Sequence, residues 1–366
     1  MTGNTMTRQV QNAMNEAVDS GVFPSAQLLV VKNGRTLLHE AYGNATLEAI
    51  FDIASLTKPI STTTLLMQMV TDDKIRLDEG VQAFLPQCQC DTKRPITIKE
   101  LLSHSSGLPA WEPYYQTVPA DNIGTPSGKL QIIDECCREP LEYVPGTGSI
   151  YSDIGFILLG EMIEKLCKKT LDKLFLEKIA KPLGLANTFF VPLKPITDNR
   201  SQITEFAPTE DCPWRHKVMK GEVHDQNCYA MGGVAGHAGL FSTTTDIGKF
   251  IPALVKSYKE TCAFSEKCVS QEVVQRFLPF HQTLFDSTWL LGWDTPSQHT
   301  NSQAGSHFSK RSIGHLGYTG CSMWIDLEKD FWVVLLSNRI HPTTTNEKIK
   351  SFRPYLHNLI FESLIV

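Results

Sequence analysis

Apolar residues at Val10, Ala13, Met14 and Val18 follow the i, i+3, i+4, i+8 spacing of one helix face, so residues 7–19 read as an amphipathic helix. The segment Gly21-Val22-Phe23-Pro24 ends it. The period then changes. Ala26–Lys32 (AQLLVVK) is an apolar run of strand length, Asn33-Gly34 is a type I′ turn signal, and Arg35–Tyr42 returns antiparallel. Near the other end, residues 320–327 and 330–337 form a second strand pair, with Phe331–Leu336 suited to a buried strand. Residues 346–364 close the chain as a helix.

The middle of the chain differs. Residues 62–70 continue a helix begun at Ser55, Ile98–Leu102 makes a short one, and Asp153–Leu166 and Asp246–Tyr258 are longer amphipathic helices. The linker between Pro195 and Asn227 is polar and without period, and no internal repeat is present. The expectation is an α/β (α+β) fold in one domain over residues 1–366. Residues 7–60 and 300–366 build an antiparallel sheet flanked by helices, around an all-α inserted subdomain at about 60–300.

Composition narrows the partners. With 42% hydrophobic and 20% charged residues the chain can bury a sizeable core. Its 34 basic against 39 acidic residues (net charge −5) make no field for a polyanion, so no nucleic-acid partner is expected. The longest continuous apolar run, Phe331–Leu336, is far below the ~20 residues of a membrane span. The N-terminus lacks the basic and apolar regions of a signal peptide. Ten cysteines contain no C-x-x-C pair, and the expectation is free thiols in a reducing cytoplasm, or a periplasmic or secreted protein if a signal peptide has been removed.

Ser55-Leu56-Thr57-Lys58 carries the chemistry. Serine and lysine three apart on a helix share a face, which sets the amine beside the hydroxyl. A serine hydroxyl needs a base to take its proton, and a lysine serves only if its surroundings favour the neutral amine. At a helix N-terminus, free backbone N–H groups also face a developing oxyanion. Taken singly, the tetrapeptide is a weak signal, because a helix cap followed by a surface lysine is commoner. Two further elements change this. Tyr151-Ser152-Asp153 stands at the head of an amphipathic helix with Asp153 as N-cap, and His315-Leu316-Gly317-Tyr318 leads into an apolar strand.

The order S-x-x-K, Y-x-[ND], [KH]-x-G resembles the serine β-lactamase and penicillin-binding-protein superfamily, in its class C branch with esterases and peptidases. The stretches 23–34, 96–108, 151–160 and 239–250 are similar to it too. Residues 207–225 and 232–239 resemble a narrower subgroup with cell-wall-recycling amidases. The resemblance implies Ser55 as acylated nucleophile, Lys58 as a group that helps deprotonate it, and Tyr151 as partner base or proton shuttle. It implies an oxyanion hole of the Ser55 and Tyr318 backbone N–H groups, and substrate binding by Asp153, His315 and Gly317. No cofactor and no metal are implied, and the partner is a small-molecule or peptide substrate.

Two departures bear on substrate. Asp153 replaces the asparagine of this branch's lactamases and can only accept hydrogen bonds, and His315 replaces a lysine and is mostly uncharged at neutral pH. Both point away from a dedicated β-lactamase and agree with an esterase, amidase or peptidase. With the subgroup stretches and the missing signal peptide, the expectation is amide bonds of peptidoglycan fragments or D-amino-acid peptides. A class C-like β-lactamase and a carboxylesterase are the alternatives, and a non-catalytic cell-wall-fragment binder or scaffold is the alternative of another class. The remaining chemistry-bearing residues read as structural. His104 is a hydrogen-bonding residue, and His224, Asp225 and His237 fix a loop or line the cleft rather than bind zinc. Trp111, Tyr114 and Tyr115 are packing or cleft wall, Cys321 is core, and Glu210 and Asp211 form a solvated loop.

Overall fold

The computed structural model describes residues 3–88, 95–193, 205–260, 269–280, 287–297 and 302–365. Among the described residues ten strands run in chain order. The first seven are β1 (Ser25–Lys32), β2 (Arg35–Gly43), β3 (Phe51–Asp52), β4 (Phe189–Phe190), β5 (Asp211–Cys212), β6 (Lys217–Val218) and β7 (Leu240–Ser242). The last three are β8 (Ser312–Leu316), β9 (Ser322–Asp326) and β10 (Phe331–Ser337). The main sheet has the order β2-β1-β10-β9-β8 and is antiparallel throughout, so strands from both chain ends meet at its centre. Asn33 (φ 50) and Gly34 (φ 71) turn β1 into β2, as their side chains allow.

Burial explains the unbroken apolar runs of β1 and β10. Leu28, Val30, Val333 and Leu335 face one way and pack with Val10, Met14, Leu356 and Ile360, from the helices Gly3–Asp19 and Ile349–Ile360. Leu29, Val31, Val334 and Leu336 face the other way, in one core with Phe250 and Leu254 of the helix Thr244–Lys259. Because both faces of the central strands are covered, polar alternation is lost.

The fold class is therefore mixed α and β, with helices against an antiparallel sheet. The middle of the chain adds two small β elements to its helices, a three-stranded sheet β3-β7-β4 and the pair β5-β6. Several boundaries differ from the sequence expectation. No single helix starts at Ser55: a 3₁₀ turn at Ala54–Leu56 and a π-helical stretch Lys58–Thr63 precede the helix Thr64–Thr71. Pro59 stands in the first turn of that π-helical stretch, where its missing N–H costs no intrahelical bond. Gly314-His315-Leu316 belongs to the edge strand β8 itself, and residues 317–320 form a tight turn with Gly320 at φ 108.

Not all thiols are free. Cys88 and Cys137 are joined in a disulfide, their Cα atoms 4.2 Å apart, whereas Cys136, Cys167, Cys212, Cys228 and Cys321 are unpaired. A separation of 49 residues hides that pairing from any spacing rule. Cys90, Cys262, Cys268 and the linker positions 195–204 lie outside the described residues. Among the described residues no helix is long and apolar enough to cross a membrane.

Candidate active site

Ser55 sits on a strained turn. Ala54 holds φ 46, a left-handed value that costs a non-glycine residue about 1–3 kcal/mol and persists only where the surroundings impose it. They do impose it. Asp52 Oδ1 accepts from Ala54 N (2.8 Å), and Thr57 Oγ1 donates to Ala54 O (2.6 Å). Asp52 Oδ2 accepts from His224 N (2.7 Å), tying this turn to a loop 172 residues away. Burial pushes the Asp52 carboxyl up, against the pull of those two backbone donors.

Lys58 is fully buried beneath Ser55, and its Nζ contacts three acceptors. These are Ser55 Oγ (2.9 Å), Asp153 Oδ1 (2.6 Å) and the carbonyl oxygen of His237 (3.1 Å). A neutral amine has two hydrogens and one lone pair. In that form, with Asp153 and His237 taking the hydrogens, the lone pair would face the Ser55 hydroxyl, whereas the ammonium donates to all three oxygens. Burial lowers the Lys58 pKa, while Asp153 resists that shift. The His237 carbonyl is placed by close backbone packing. A Cβ on Gly160 would stand 2.7 Å from Gly236 N, so the helix Asp153–Cys167 meets this loop without side chains between them.

The Tyr151 ring centroid lies 4.9 Å from Lys58 Nζ, 4.6 Å from the His104 ring and 5.1 Å from the Trp289 ring. Burial, reinforced by the Asp153 charge and only partly offset by a hydrogen bond with Ser55, raises its pKa well above that of a free phenol. Tyr151 therefore keeps its proton at neutral pH. His315 is held neutral by burial and by the Lys58 charge, which bring its pKa down to about 3, and its Nδ1 bonds to Leu316 O (2.8 Å). A cleft of about 810 Å³ runs over these groups, lined among others by Ser55, Tyr151, Asp153, His315, Trp111 and Arg339.

Two His–carboxylate pairs border this cleft. His237 Nε2 meets Asp225 Oδ1 at 2.9 Å, and His224 Nε2 meets Glu210 Oε2 at 3.1 Å. Burial would raise the Asp225 pKa, but the His237 charge and hydrogen bond outweigh it and hold the carboxyl below its ordinary value. The His224 ring stacks on Tyr318 (5.6 Å, 17°). At the end of β8, a Cβ on Gly317 would lie 2.6 Å from Ile53 O, and Thr319 Oγ1 donates to Asp52 O (2.8 Å). The turn bearing Tyr318 is thereby set against the turn bearing Ser55.

The structure thus brings Ser55, Lys58, Tyr151 and Asp153 together, and places His315, Gly317 and Tyr318 along the same cleft. Two expectations change. Asp153 is the first residue of its helix and not the cap, since Ser152 Oγ accepts from Gly155 N (3.2 Å). Its Oδ1 accepts from Lys58, and its side chain also lines the cleft. Glu210 is buried beside His224, although Asp211 is exposed as expected. His104 is a buried hydrogen-bonding residue, its Nδ1 accepting from Ser152 N (3.0 Å), and burial lowers its pKa well below the usual value. Trp289, the anchoring Asp52 and the His237 carbonyl had no motif to announce them. Among the described residues no cluster of three or more His, Cys, Asp or Glu could hold a metal ion.

Known proteins were compared with this chain. The family model described as Beta-lactamase matches residues 10–352. A protein of Escherichia coli K12 named as a D-alanyl-D-alanine carboxypeptidase is 32% identical over 365 residues, covering 91% of this chain and 82% of that protein. The N-acetylmuramyl-L-alanine amidase of Bacillus subtilis strain 168 is 31% identical over 371 residues, covering 91% of this chain and 81% of the relative. Among solved structures, the octameric penicillin-binding protein homologue from Pyrococcus abyssi superposes with a TM-score of 0.73 at 19% identity, over 97% of this chain and 77% of that one. EstCE1, a hydrolase with promiscuous acyltransferase activity, does so with 0.73 at 20% identity, over 96% and 99%. These two likenesses are of fold.

Proposed function

The chain belongs to the beta-lactamase family of serine hydrolases, and from that premise we propose that it cleaves amide bonds of peptidoglycan fragments or D-amino-acid peptides through an acyl-enzyme on Ser55. The observation that carries the reading is the triple contact of Lys58 Nζ with Ser55, Asp153 and the His237 carbonyl. Lys58 as neutral amine takes the Ser55 proton while Oγ attacks the substrate carbonyl carbon. The charge appearing on Lys58 in that step lies 2.6 Å from the Asp153 carboxylate, so the carboxylate favours the transition state more than the ground state. The Ser55 and Tyr318 N–H groups receive the oxyanion. Tyr151, a phenol at neutral pH, hands its proton to the leaving nitrogen and recovers one from Lys58. The C–N bond breaks and an ester of Ser55 remains. Water then attacks that ester and gives a proton to the same Lys58–Tyr151 pair, which passes it to Ser55 Oγ as the C–O bond breaks, releasing the acid and regenerating the hydroxyl.

Substrate class rests on three points. The relatives at 31–32% identity bear the names of cell-wall peptide and amide hydrolases. His315, neutral with its pKa at about 3, offers no charge to the carboxylate of a β-lactam where lactamases of this branch place lysine. Trp111 in the lining gives a bulky substrate an apolar wall. Under one set of conditions, kcat/KM is expected to be at least about 10-fold higher for a muramyl peptide than for nitrocefin, a gap of ~1.4 kcal/mol. Nitrocefin turned over faster would assign a β-lactamase. A nitrophenyl ester cleaved with no amide cleavage would assign the carboxylesterase.

Asp153→Asn tests the role given to that carboxylate. Removing the anion removes what resists the lowering of the Lys58 pKa, so the rise of kcat/KM with pH should move to lower pH. A rise that stays in place would show that Asp153 does not act on Lys58.

A further inference from the structure

The turn after β8 is gripped from behind by two arginines. Three successive carbonyl oxygens accept hydrogen bonds from them. Arg339 Nε donates to Tyr318 O (3.0 Å), Arg339 N to Thr319 O (2.9 Å), and Arg353 Nη2 to Gly320 O (3.1 Å). Gly320 N in turn donates to Gly317 O (3.0 Å), which shares one peptide plane with the Tyr318 N–H. Holding Gly320 therefore holds the plane that aims this N–H. The fit is close: a Cβ on Gly320 would lie 2.6 Å from Arg339 Cγ.

Both arginines are buried, at 6% and 3% exposure, and among the described residues neither makes an ion pair with a carboxylate. The other guanidinium bonds go to neutral acceptors: Arg339 Nη1 to the carbonyls of Thr344 (3.1 Å) and Asn346 (2.6 Å), and Arg353 Nη1 to Gln303 Oε1 (2.7 Å). The Arg339 guanidinium also lies 4.7 Å from the Tyr318 ring centroid. Burying an unpaired charge is costly, so two such charges behind one turn call for a compensating role.

We propose that Arg339 and Arg353 are positioning residues of the oxyanion hole: they fix the turn that presents the Tyr318 N–H, and their buried charge favours the anion that forms there. The inference rests on the Ser55 reading. A hydrogen bond in an oxyanion hole acts on the tetrahedral state far more than on bound substrate, so its loss appears in kcat.

The test compares Arg339→Met, Arg353→Met and Arg339→Lys with the wild-type protein, using a nitrophenyl ester and an arylboronic acid that forms a tetrahedral adduct on serine. In both methionine variants kcat should fall at least about 10-fold, part of the ~10²–10³ that a whole oxyanion donor supplies. KM should stay within about twofold, boronate affinity should fall in parallel with kcat, and Arg339→Lys should recover part of both. Folded fraction is read from thermal melting. Boronate affinity per folded molecule equal to wild type, or kcat within about twofold of it, overturns the proposal. Failure of the Ser55 reading is separate: boronate inhibition that survives Ser55→Ala refutes that reading, and this inference with it.

Discussion

Ser55→Ala is expected to lower kcat by about 10⁴- to 10⁶-fold while leaving the fold intact. The substitution deletes one hydroxyl from a side chain that is only partly buried. The turn beneath it does not depend on that hydroxyl, because Asp52 and Thr57 hold Ala54 on either side. Lys58 keeps Asp153 and the His237 carbonyl as partners, so no buried charge is stranded. What is lost is the hydroxyl on which the proposed mechanism forms its acyl bond. The Ser55 and Tyr318 N–H groups would then polarise a carbonyl with no nucleophile beside it, which supports only the residual catalysis of binding and electrostatics. Steady-state turnover beside a melting curve is the check. Turnover within tenfold of wild type, with an unchanged melting temperature, would remove Ser55 from the mechanism.

Lys58→Met should cost about 10²–10⁴ in kcat/KM, the range for a lost general base. Methionine fills much of the same volume, and its thioether sulfur is far too weak a base to take the Ser55 proton. The pH profile separates loss of the base from a general disturbance. In the wild-type protein the base form of Lys58 grows as pH rises through a pKa that burial has lowered, so kcat/KM climbs with pH. The climb does not come from His315, whose pKa is held at about 3, nor from His104, which burial also keeps neutral. Tyr151 remains a phenol throughout this range, since burial moves it the opposite way. In Lys58→Met the residual activity should lose that climb. A profile of unchanged shape at reduced height would show that another group takes the Ser55 proton.

The parts of this protein that could be read from its sequence are those where local pattern and tertiary structure agree. Asn33-Gly34 between two apolar runs forms its hairpin, and the Phe331–Leu336 run lies at the centre of the sheet, where both faces are covered. Ser55 and Lys58 meet because three residues of helical chain bring them together. Long-range contacts were out of reach. Asp153 was recognisable as an acceptor, but only the packing of its helix decides that Lys58, 95 residues earlier, takes one oxygen. Glu210 looked like a loop carboxylate until the β5–β6 pair and its flanks folded it against His224. The Cys88–Cys137 bond, the His237 carbonyl and the Trp289 ring belong to the same class, set by tertiary approach and not by spacing.

Mass spectrometry of the intact protein, quenched in acid during turnover of a muramyl peptide or a D-alanyl-D-alanine peptide, tests the central claim most directly. The account predicts an added acyl mass that maps to the peptide bearing Ser55, disappears as substrate is exhausted, and is absent from Ser55→Ala. Substrate turned over with no adduct at any quench time, or an adduct on another residue, would contradict it.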